Sequence, residues 1–328
     1  MASFSSNGEA STTKIIFKQS LAFGSQLRRV YLDTKTRSPR NRGTSVPEAF
    51  EDLMAMIDGK RVVVVMPAYN AARTIKRTFD EIPKQFFDEI LLVDDASSDG
   101  SIQVGRELGI RTLFHSKNKG YGANQKTCYE EALRLGADII LMLHPDYQYS
   151  PKLLPAIATL LAYAPYDIVL GSRILGGGAL AGGMPLYKYL GNRLLTIFQN
   201  ILWRTKISEY HTGLRGYKRV VLSTINFERN SDDFIFDNQL IAQALYHKFR
   251  IGEISCPTHY FEEASSISFN RAIRYGFGIF KTTFELILAK HGVWTAPYLR
   301  GDGYSTTEKN TSRSEDPADI QFKTNPGS

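Results

Sequence analysis

Val62-Val-Val-Val-Met-Pro-Ala-Tyr-Asn70 and Ile90-Leu-Leu-Val-Asp-Asp-Ala-Ser-Ser-Asp-Gly100 are the two stretches that decide the fold. Each begins as an apolar run of strand length and ends in polar, turn-forming residues. A short helical pattern, with Asn70 as its candidate N-cap, separates them, so together they predict one β-α-β unit. Ligands of an open parallel sheet bind beyond the carboxyl ends of its strands. Four side chains are therefore expected at one crevice, those of Tyr69, Asn70, Asp94 and Asp95.

The same alternation continues along the chain and predicts an α/β fold. Strands are expected at residues 62–66, 90–93, 111–114, 138–143 and 167–171. Strands that alternate with helices require right-handed crossovers, which build a mostly parallel, Rossmann-like sheet flanked by helices. One folded domain is expected over residues 58–292, and its pattern changes near residue 173. Outside it, we expect a disordered basic arm at 1–57, with a lead-in helix at 48–56, and a disordered tail at 293–328.

The second half of the domain is richer in helices. A glycine-rich segment at 176–183 is expected to be a flexible loop, and strands are expected at 210–218 and 251–260. Helices are predicted at 186–203, 236–247 and 268–290. The first and last of these carry an apolar stripe, and basic residues flank the stripe of the last. Such a stripe fits a membrane surface, and it equally fits packing against a protein core.

Composition sets limits on the class of protein. The chain has 328 residues, is 43% hydrophobic and carries a net charge of +7. A positive charge suits a nucleotide, nucleic acid or an anionic membrane, although a basic N-terminal arm would explain much of it. No nucleic-acid-binding module is recognisable, so nucleic acid is not an expected partner.

Cysteine spacing and the length of apolar runs indicate the cellular compartment. Cys128 and Cys256 lack metal-binding or paired spacing, which favours a reducing environment. No apolar run reaches the length needed to cross a bilayer. We therefore expect a cytoplasmic protein, with peripheral contact to a membrane surface as a further option.

Carboxylates at strand ends form the main candidate site. Asp94 and Asp95 end the second strand, and Asp146 and Gln148 follow the fourth. Mg²⁺ or Mn²⁺ is usually held by one or two carboxylates together with substrate phosphates. Asp146 and Gln148 are two residues apart on a turn and could face one ion. The alternatives are that Asp146 caps the following helix and that the Asp94-Asp95 pair only shapes a turn.

Two further features suit phosphate binding. Lys119 and Gly120 lie in a glycine-rich turn, expected at 118–124, before a helix, where backbone N–H groups can hold phosphate oxygens. This turn is neither a dinucleotide fingerprint nor a Walker loop. Arg173 and Arg215 are candidate clamps for phosphate, although an isolated arginine is more often structural.

These motifs, taken in order, resemble those of family 2 glycosyltransferases, nearest to the dolichol-phosphate mannosyltransferase-like branch. They are Val64-Val-Met-Pro-Ala-Tyr-Asn70, Val93-Asp-Asp-Ala-Ser-Ser-Asp-Gly100, Asn118-Lys-Gly120, Asp146-Tyr-Gln148, Gly171-Ser-Arg173 and Thr212-Gly-Leu-Arg-Gly-Tyr217. Each motif is modest, but the ordered set, spanning about residues 60 to 290, is specific.

The resemblance implies a GT-A fold, a nucleotide-sugar donor and inversion at the anomeric carbon. Residues 58–173 would then form the nucleotide-sugar half and 174–292 the acceptor half. The positions that hold the base and ribose in the family correspond to Pro67, Ala68, Tyr69 and Asp94 or Asp95, with Asn70 beside them. Asp146 and Gln148 correspond to the positions that hold the divalent ion.

Two positions depart from the family's pattern. His144 stands where the first carboxylate of an Asp-x-Asp motif is usual, and Ala71 replaces an acid that often follows the asparagine. His144 could hydrogen-bond the ribose or diphosphate, ligate a metal, or be structural. The departures bear on metal dependence and on the preferred nucleotide.

The acceptor determines which catalytic groups are needed. A hydroxyl acceptor requires a general base, and the family places an acid near Asp237, although Asp237 could instead interact with a helix dipole. A phosphate acceptor is already ionised and needs only cations such as Arg173 and Arg215. The expected function is glycosyl transfer to a polyprenyl phosphate. The alternatives are transfer to a hydroxyl of a polysaccharide, metabolite or protein, and a nucleotide-sugar-binding protein without turnover.

Overall fold

The computed structural model describes residue 57, residues 59–258 and residues 269–300. Within them, a seven-stranded sheet has the order β3-β2-β1-β4-β6-β5-β7. Its strands are β1 Val62–Ala68, β2 Glu89–Asp94, β3 Arg111–Phe114, β4 Ile139–Leu143, β5 Ile168–Ser172, β6 Leu214–Lys218 and β7 Ile251–Ser255. Strands β1 to β4 are parallel to one another, β6 runs antiparallel between β4 and β5, and β7 is parallel to β5.

Helices cover both faces of this sheet. Their bounds are α1 Ala72–Glu81, α2 Ser101–Glu107, α3 Tyr121–Arg134, α4 Leu154–Tyr163, α5 Gly178–Ala181, α6 Leu186–Trp203, α7 Arg219–Thr224, α8 Phe236–Tyr246 and α9 Phe269–Lys290. The side chains of β1 show why two layers of helices are needed. Val63 and Val65 point into one apolar core, and Val62 and Val64 point into the other. A strand that is buried on both faces has a continuous apolar sequence, and β1 has such a sequence.

The predicted α/β fold with a mostly parallel sheet is confirmed. Strand β3 has the predicted bounds, and the other parallel strands differ from prediction by at most two residues at an end. Strand β6 begins at Leu214, four residues later than predicted, and β7 ends at Ser255, five residues earlier.

Three local predictions need correction. The glycine-rich segment at 176–183 contains the short helix α5, so it is not wholly a loop. The turn predicted at 118–124 is shorter, because α3 already begins at Tyr121. Ordered structure continues past residue 292, since Leu299 is fully buried in a 3₁₀ turn, Pro297–Leu299. The predicted arm, its lead-in helix and the tail beyond residue 300 lie outside the described residues.

The strand order brings the predicted site together. Strands β2, β1 and β4 are neighbours, so their carboxyl ends lie side by side. Asn124, near the start of α3, donates to the carbonyl oxygens of Ala68 and Val93, each at 3.1 Å. One buried amide thus ties the helix that begins at the glycine turn to the ends of β1 and β2.

Candidate active site

The ends of β1 and β2 are joined by a dense set of short hydrogen bonds. Asp94 accepts hydrogen bonds from the Ser97 amide and hydroxyl, at 2.8 and 2.5 Å. The Ser97 hydroxyl also accepts the Asn70 N–H at 2.8 Å, and the Asn70 side chain accepts the Ser98 N–H at 3.0 Å. Burial raises the pKa of Asp94, and the bonds from Ser97 oppose that rise. Asp94 is thus held in a fixed turn at the crevice.

Asn70 was predicted to cap α1, and this is wrong. Its backbone is left-handed, with φ of 50°, and the residue that precedes the helix is Ala71. The first turn of α1 is capped across the crevice instead, because Asp99 Oδ2 accepts the Ala72 N–H at 2.9 Å. The carboxylate that satisfies this helix end belongs to the turn after β2, which further fixes the two strand ends to each other.

Asp95 organises the glycine turn. Its carboxylate accepts the Lys119 N–H at 2.8 Å and the Gly120 N–H at 2.9 Å, and His115 Nδ1 lies 2.7 Å away. Burial alone would raise the pKa of Asp95, but the hydrogen bonds from His115 and the turn outweigh it and lower that pKa. The two amides predicted to hold phosphate are therefore occupied by Asp95, and the backbone cradle proposed for Lys119 and Gly120 needs correction.

The glycine turn lies directly against the segment that leads into α8. The Gly122 N–H donates to the Asp232 carbonyl at 2.7 Å. A Cβ atom on Gly122 would lie 2.3 Å from the Ser231 carbonyl, and one on Gly120, whose φ is +105°, would lie 2.6 Å from that of Asp232. Only glycine permits this approach of two backbones. The two predicted halves of the domain therefore meet at this turn.

Asp237 is enclosed and fully engaged. Its carboxylate accepts the Tyr121 hydroxyl at 2.7 Å and the Gln125 amide at 3.0 Å, and the Arg215 guanidinium lies 3.0 Å away. Arg215 is completely buried, and Asp237 is 6% exposed. The predicted acid of the acceptor half is thus present at the site, but three donors already occupy it. Arg215 also donates from Nε to the Thr212 carbonyl at 2.7 Å.

The turn after β4 holds the candidate metal ligand. Asp146 Oδ1 accepts the Gln148 N–H at 3.1 Å, and Tyr147 between them has a left-handed backbone with φ of 58°. The helix that follows receives no side-chain cap, so the capping alternative for Asp146 is not what the structure has. Gln148 is buried and Asp146 is half-buried.

The donor set around Asp146 is small. In the part of the chain that the structure describes, no three His, Cys, Asp or Glu side chains are grouped to hold a metal ion. Asp146 supplies one carboxylate and Gln148 one amide at this turn. Such a set fits an ion that takes most of its ligands from a diphosphate and water, and it does not fit a closed protein cage.

Arg173 is positioned by a buried acid. Its guanidinium forms an ion pair with Glu209, which is fully buried, and also donates to the His211 carbonyl. Asn192 from α6 donates to the same carboxylate at 2.9 Å. The predicted phosphate clamp thus has a fixed direction at the end of β5, set by residues that the sequence did not single out.

The remaining predicted residues differ in accessibility. Pro67 and Ala68 are buried within β1, so any contact they make to a base would use the backbone or the strand edge. Tyr69 is 56% exposed, which suits a ring that contacts a base. The predicted residues of β1, β2 and β4 are brought together. Asp237 of the acceptor half is held by Tyr121 and Gln125 on α3, and Arg173 is held by Glu209 in the loop before β6.

Two groups at this site escaped sequence reasoning. Tyr121 and Gln125 lie one helical turn apart at the start of α3 and both reach Asp237. The signal was present, since polar residues four apart share a helix face, but Tyr121 was assigned to the turn. His115 holds Asp95 and also lies 2.9 Å from the Thr127 hydroxyl. A single histidine after a strand does not reveal in the sequence that it binds a carboxylate of the site.

His211 makes folding stability depend on pH. Burial and the nearby Arg173 and Arg215 lower its pKa to about 3. In the unfolded chain the pKa is about 6.5. Between these values the unfolded chain binds more protons, so the stability present above pH 6.5 is lost as pH falls. We expect about 1–2 kcal/mol of this loss between pH 7 and pH 5.

The measurement is urea unfolding across that pH range. His211→Gln should flatten the dependence relative to the wild type, whereas the control His291→Gln, at an exposed residue, should leave it unchanged. Equal slopes for the wild type and His211→Gln would contradict the assignment.

Helices α6 and α9 present a large apolar surface next to the site. Phe198 on α6 packs against Phe280 and Phe284 on α9, with ring centroids 4.6 and 6.1 Å apart. The outer side chains of both helices are exposed. They are Leu186, Tyr187, Leu190, Leu194, Ile197 and Ile201 on α6, and Phe277, Phe280, Phe284 and Leu288 on α9. We call these ten residues the apolar two-helix face. The stripe predicted on each helix therefore points outward, away from the core.

Charge around this face is almost entirely positive. Helix α6 contains Lys188 and Arg193 and no acidic residue. Helix α9 has several basic residues and one acid, Glu285, which is buried and accepts the Tyr298 hydroxyl at 3.1 Å. Among the described residues, no helix is both long enough and apolar enough to cross a bilayer.

Comparison with known sequences identifies the family. The sequence model described as Glycosyl transferase family 2 matches residues 63–225. A UDP-N-acetylglucosamine–dolichyl-phosphate N-acetylglucosaminyltransferase of Methanococcus voltae is 26% identical over 250 residues, 71% of this chain and 97% of that protein. The low-salt glycan biosynthesis hexosyltransferase Agl6 of Haloferax volcanii is 29% identical over 241 residues, 71% of this chain and 55% of Agl6.

Solved structures agree on the fold. Glucosyl-3-phosphoglycerate synthase from Mycobacterium tuberculosis, in complex with phosphoglyceric acid, superposes with a TM-score of 0.57 at 15% identity, covering 78% of this chain and 88% of that one. The same enzyme with Mn²⁺ and UDP-glucose gives a TM-score of 0.56, covering 78% and 86%. The sheet therefore has the GT-A arrangement. With the ordered motifs, the match shows that residues 63–225 belong to glycosyl transferase family 2 and that this protein is a glycosyltransferase.

Proposed function

We propose that this enzyme transfers a sugar from a nucleotide-sugar to a polyprenyl phosphate, with inversion at the anomeric carbon. An oxygen of the lipid phosphate attacks the anomeric carbon, the bond from that carbon to the diphosphate breaks, and a nucleoside diphosphate leaves. The observation that carries this proposal is the apolar two-helix face beside a site whose buried acid is already held by three donors. The Methanococcus voltae relative, which is named for transfer to dolichyl phosphate, supports it.

The donor would lie at the ends of β1, β2 and β4. Tyr69 offers an exposed ring for the base, and Asp94, held by Ser97, offers a carboxylate in a fixed turn. Asp146, with Gln148, would hold a Mg²⁺ or Mn²⁺ ion whose other ligands come from the diphosphate and water. Such an ion offsets the charge that develops on the leaving diphosphate.

The surroundings of Asp237 favour a phosphate acceptor over a hydroxyl. A general base needs an oxygen that can receive a proton within hydrogen-bond reach. Tyr121 and Gln125 donate to Asp237, and Arg215 pairs with it at 3.0 Å. Three donors therefore already engage the carboxylate oxygens that the proton of a hydroxyl acceptor would have to reach. A phosphate acceptor is ionised at neutral pH and needs no base, so this arrangement suits it. The general-base role of Asp237 stays a prediction for a hydroxyl acceptor only.

The apolar two-helix face would place the enzyme where such a lipid is found. Helices with apolar side chains on one face and basic residues beside them bind in the interface of anionic membranes. Each cation near such a surface contributes about 1 kcal/mol. Tyr187, 69% exposed, is of the type that prefers the interface.

Substitution of this face should weaken vesicle binding without affecting the donor site. For Leu194→Glu with Phe284→Glu, we expect the partition coefficient onto anionic vesicles to fall at least about tenfold, since each buried apolar side chain contributes about 1.5–3 kcal/mol. Vesicle co-flotation measures it. The control Val220→Glu places the same charge at an exposed apolar residue of α7, outside the face. Equal flotation of all variants would contradict a membrane role.

A thermal-shift screen tests the donor part. UDP-, GDP- and TDP-sugars are compared with and without Mn²⁺. We expect one nucleotide to raise the melting temperature of the wild type, and we expect Mn²⁺ to increase that shift, because only the folded state binds. No shift with any nucleotide-sugar at millimolar concentration would contradict a donor site at these strand ends.

A further inference from the structure

His144 occupies the position where a first carboxylate was expected, and its surroundings differ from those of a metal ligand. The ring lies between Tyr121 and Tyr149 in edge-to-face contacts, with centroids 5.5 and 6.4 Å apart. On its Nδ1 edge, a Cβ atom added to Gly213 would lie 2.8 Å from Nδ1. The Nδ1 edge of the ring thus faces the backbone of Gly213.

The other ring nitrogen is used by Tyr121. His144 Nε2 lies 3.1 Å from the Tyr121 hydroxyl, and that hydroxyl lies 2.7 Å from Asp237 Oδ2. Tyr121 has one proton, and the ionised carboxylate, paired with Arg215, can only accept. Tyr121 therefore donates to Asp237 and must accept from His144. This fixes the tautomer with the proton on Nε2 and the lone pair on Nδ1.

The hydrogen bonds of His144 and Tyr121 link three separate segments of the polypeptide. The hydrogen-bond chain thus runs from the end of β4 through α3 to the first turn of α8. It joins the turn that carries Asp146 to the ion pair of Asp237 and Arg215.

We infer that His144 is a positioning residue, which acts through Tyr121 to hold the ion pair of Asp237 and the candidate phosphate clamp Arg215 in register with the turn of Asp146, and that it is not a ligand of the divalent ion. The inference rests on the proposed function for the reaction that it positions. Its consequence is that the ion in this enzyme relies on one protein carboxylate. A displacement of about 1 Å between the two sides of a reacting pair is enough to slow transfer greatly.

Four variants separate positioning from ligation and from mere stability. His144→Leu and Tyr121→Phe each interrupt the hydrogen-bond chain from His144 to Asp237, and His144→Gln retains an N–H donor. Tyr298→Phe is the matched control, because it removes a buried tyrosine–carboxylate hydrogen bond, to Glu285, far along the chain from this site. We expect His144→Leu and Tyr121→Phe to lower kcat about tenfold, and the double variant to be no worse than either. His144→Gln should recover most of the activity, and Tyr298→Phe should keep wild-type kcat.

Metal binding provides the second readout. Mn²⁺ affinity in the presence of the nucleoside diphosphate, followed by electron paramagnetic resonance, should stay within about twofold of wild type in all four variants. A tenfold loss of Mn²⁺ affinity in His144→Leu but not in Tyr121→Phe would make His144 a ligand and overturn the inference. A fall in melting temperature with unchanged kcat would show that the hydrogen bonds of His144 and Tyr121 only stabilise the fold, and this too would overturn the inference.

A third measurement does not depend on turnover. Nitrogen-15 NMR of the histidine rings at pH 8, with the signal of His144 assigned through His144→Gln, should show protonated Nε2 and bare Nδ1. Protonated Nδ1 would overturn the inference. If the wild type transfers no sugar to polyprenyl phosphate, the proposed function fails, while the tautomer and the Mn²⁺ affinities still decide the role of His144.

Discussion

Arg215→Met should lower the free energy of unfolding by about 3–5 kcal/mol. Arg215 is completely buried, and its guanidinium lies 3.0 Å from Asp237. Removing one partner of a buried pair leaves the other charge in an apolar interior without its counter-ion. Tyr121 and Gln125 would still donate to Asp237, but neither supplies a positive charge. Urea unfolding at pH 7 measures the change.

The double variant and a surface pair make the test specific. The double variant Arg215→Met with Asp237→Asn should lower the free energy of unfolding by less than the sum of the two single substitutions. Asp237→Asn removes the buried negative charge that Arg215→Met leaves without a counter-ion. The control Lys76→Met breaks an exposed pair with Asp80 and should cost no more than about 0.5 kcal/mol. A loss below 1 kcal/mol for Arg215→Met would show that the buried pair does not hold the acceptor half in place.

Asp146→Ala should reduce kcat/KM for sugar transfer by about a hundredfold or more. Asp146 is the carboxylate that this turn offers to a divalent ion, and no group of three His, Cys, Asp or Glu is assembled elsewhere in the described chain. Stabilisation of the leaving diphosphate by such an ion contributes several kcal/mol. About 1.4 kcal/mol corresponds to a tenfold change in rate. Initial rates at varied Mn²⁺ concentration measure the effect.

Two controls accompany that substitution. Asp80→Ala removes an exposed carboxylate on α1 and should leave kcat/KM unchanged. Asp146→Asn keeps the shape and the hydrogen bond to the Gln148 N–H but loses the charge, so it should resemble Asp146→Ala in rate and the wild type in melting temperature. Wild-type rates in both Asp146 variants would exclude this turn from the site.

The sequence predicted the parallel strands and the residues at their ends because both signals are local. A buried strand such as β1 is apolar at every position, and the polar residues that end it are adjacent in sequence. The antiparallel insertion of β6 between β4 and β5 depends on long-range pairing, for example of Gly216 with Leu141 and Val169, and no local pattern encodes it.

The roles of the site residues were harder to predict than their presence. Asp95 was expected to contact ligand, yet it is occupied by Lys119, Gly120 and His115. The apolar stripes of α6 and α9 were compatible with burial and with exposure, because helical periodicity shows that a face is apolar without showing what covers it. Partners from distant segments decide both questions, and a single sequence does not reveal them.

Formation of a lipid-linked sugar tests the central proposal most directly. The protein is incubated with the nucleotide-sugar that stabilises it best, Mn²⁺, and anionic vesicles that contain polyprenyl phosphate, and the extracted lipid is analysed by mass spectrometry. We predict a polyprenyl phosphate heavier by one sugar residue, formed by the wild type and lost with Asp146→Ala. Release of free sugar without any modified lipid, or transfer only to a soluble hydroxyl acceptor, would contradict the proposal.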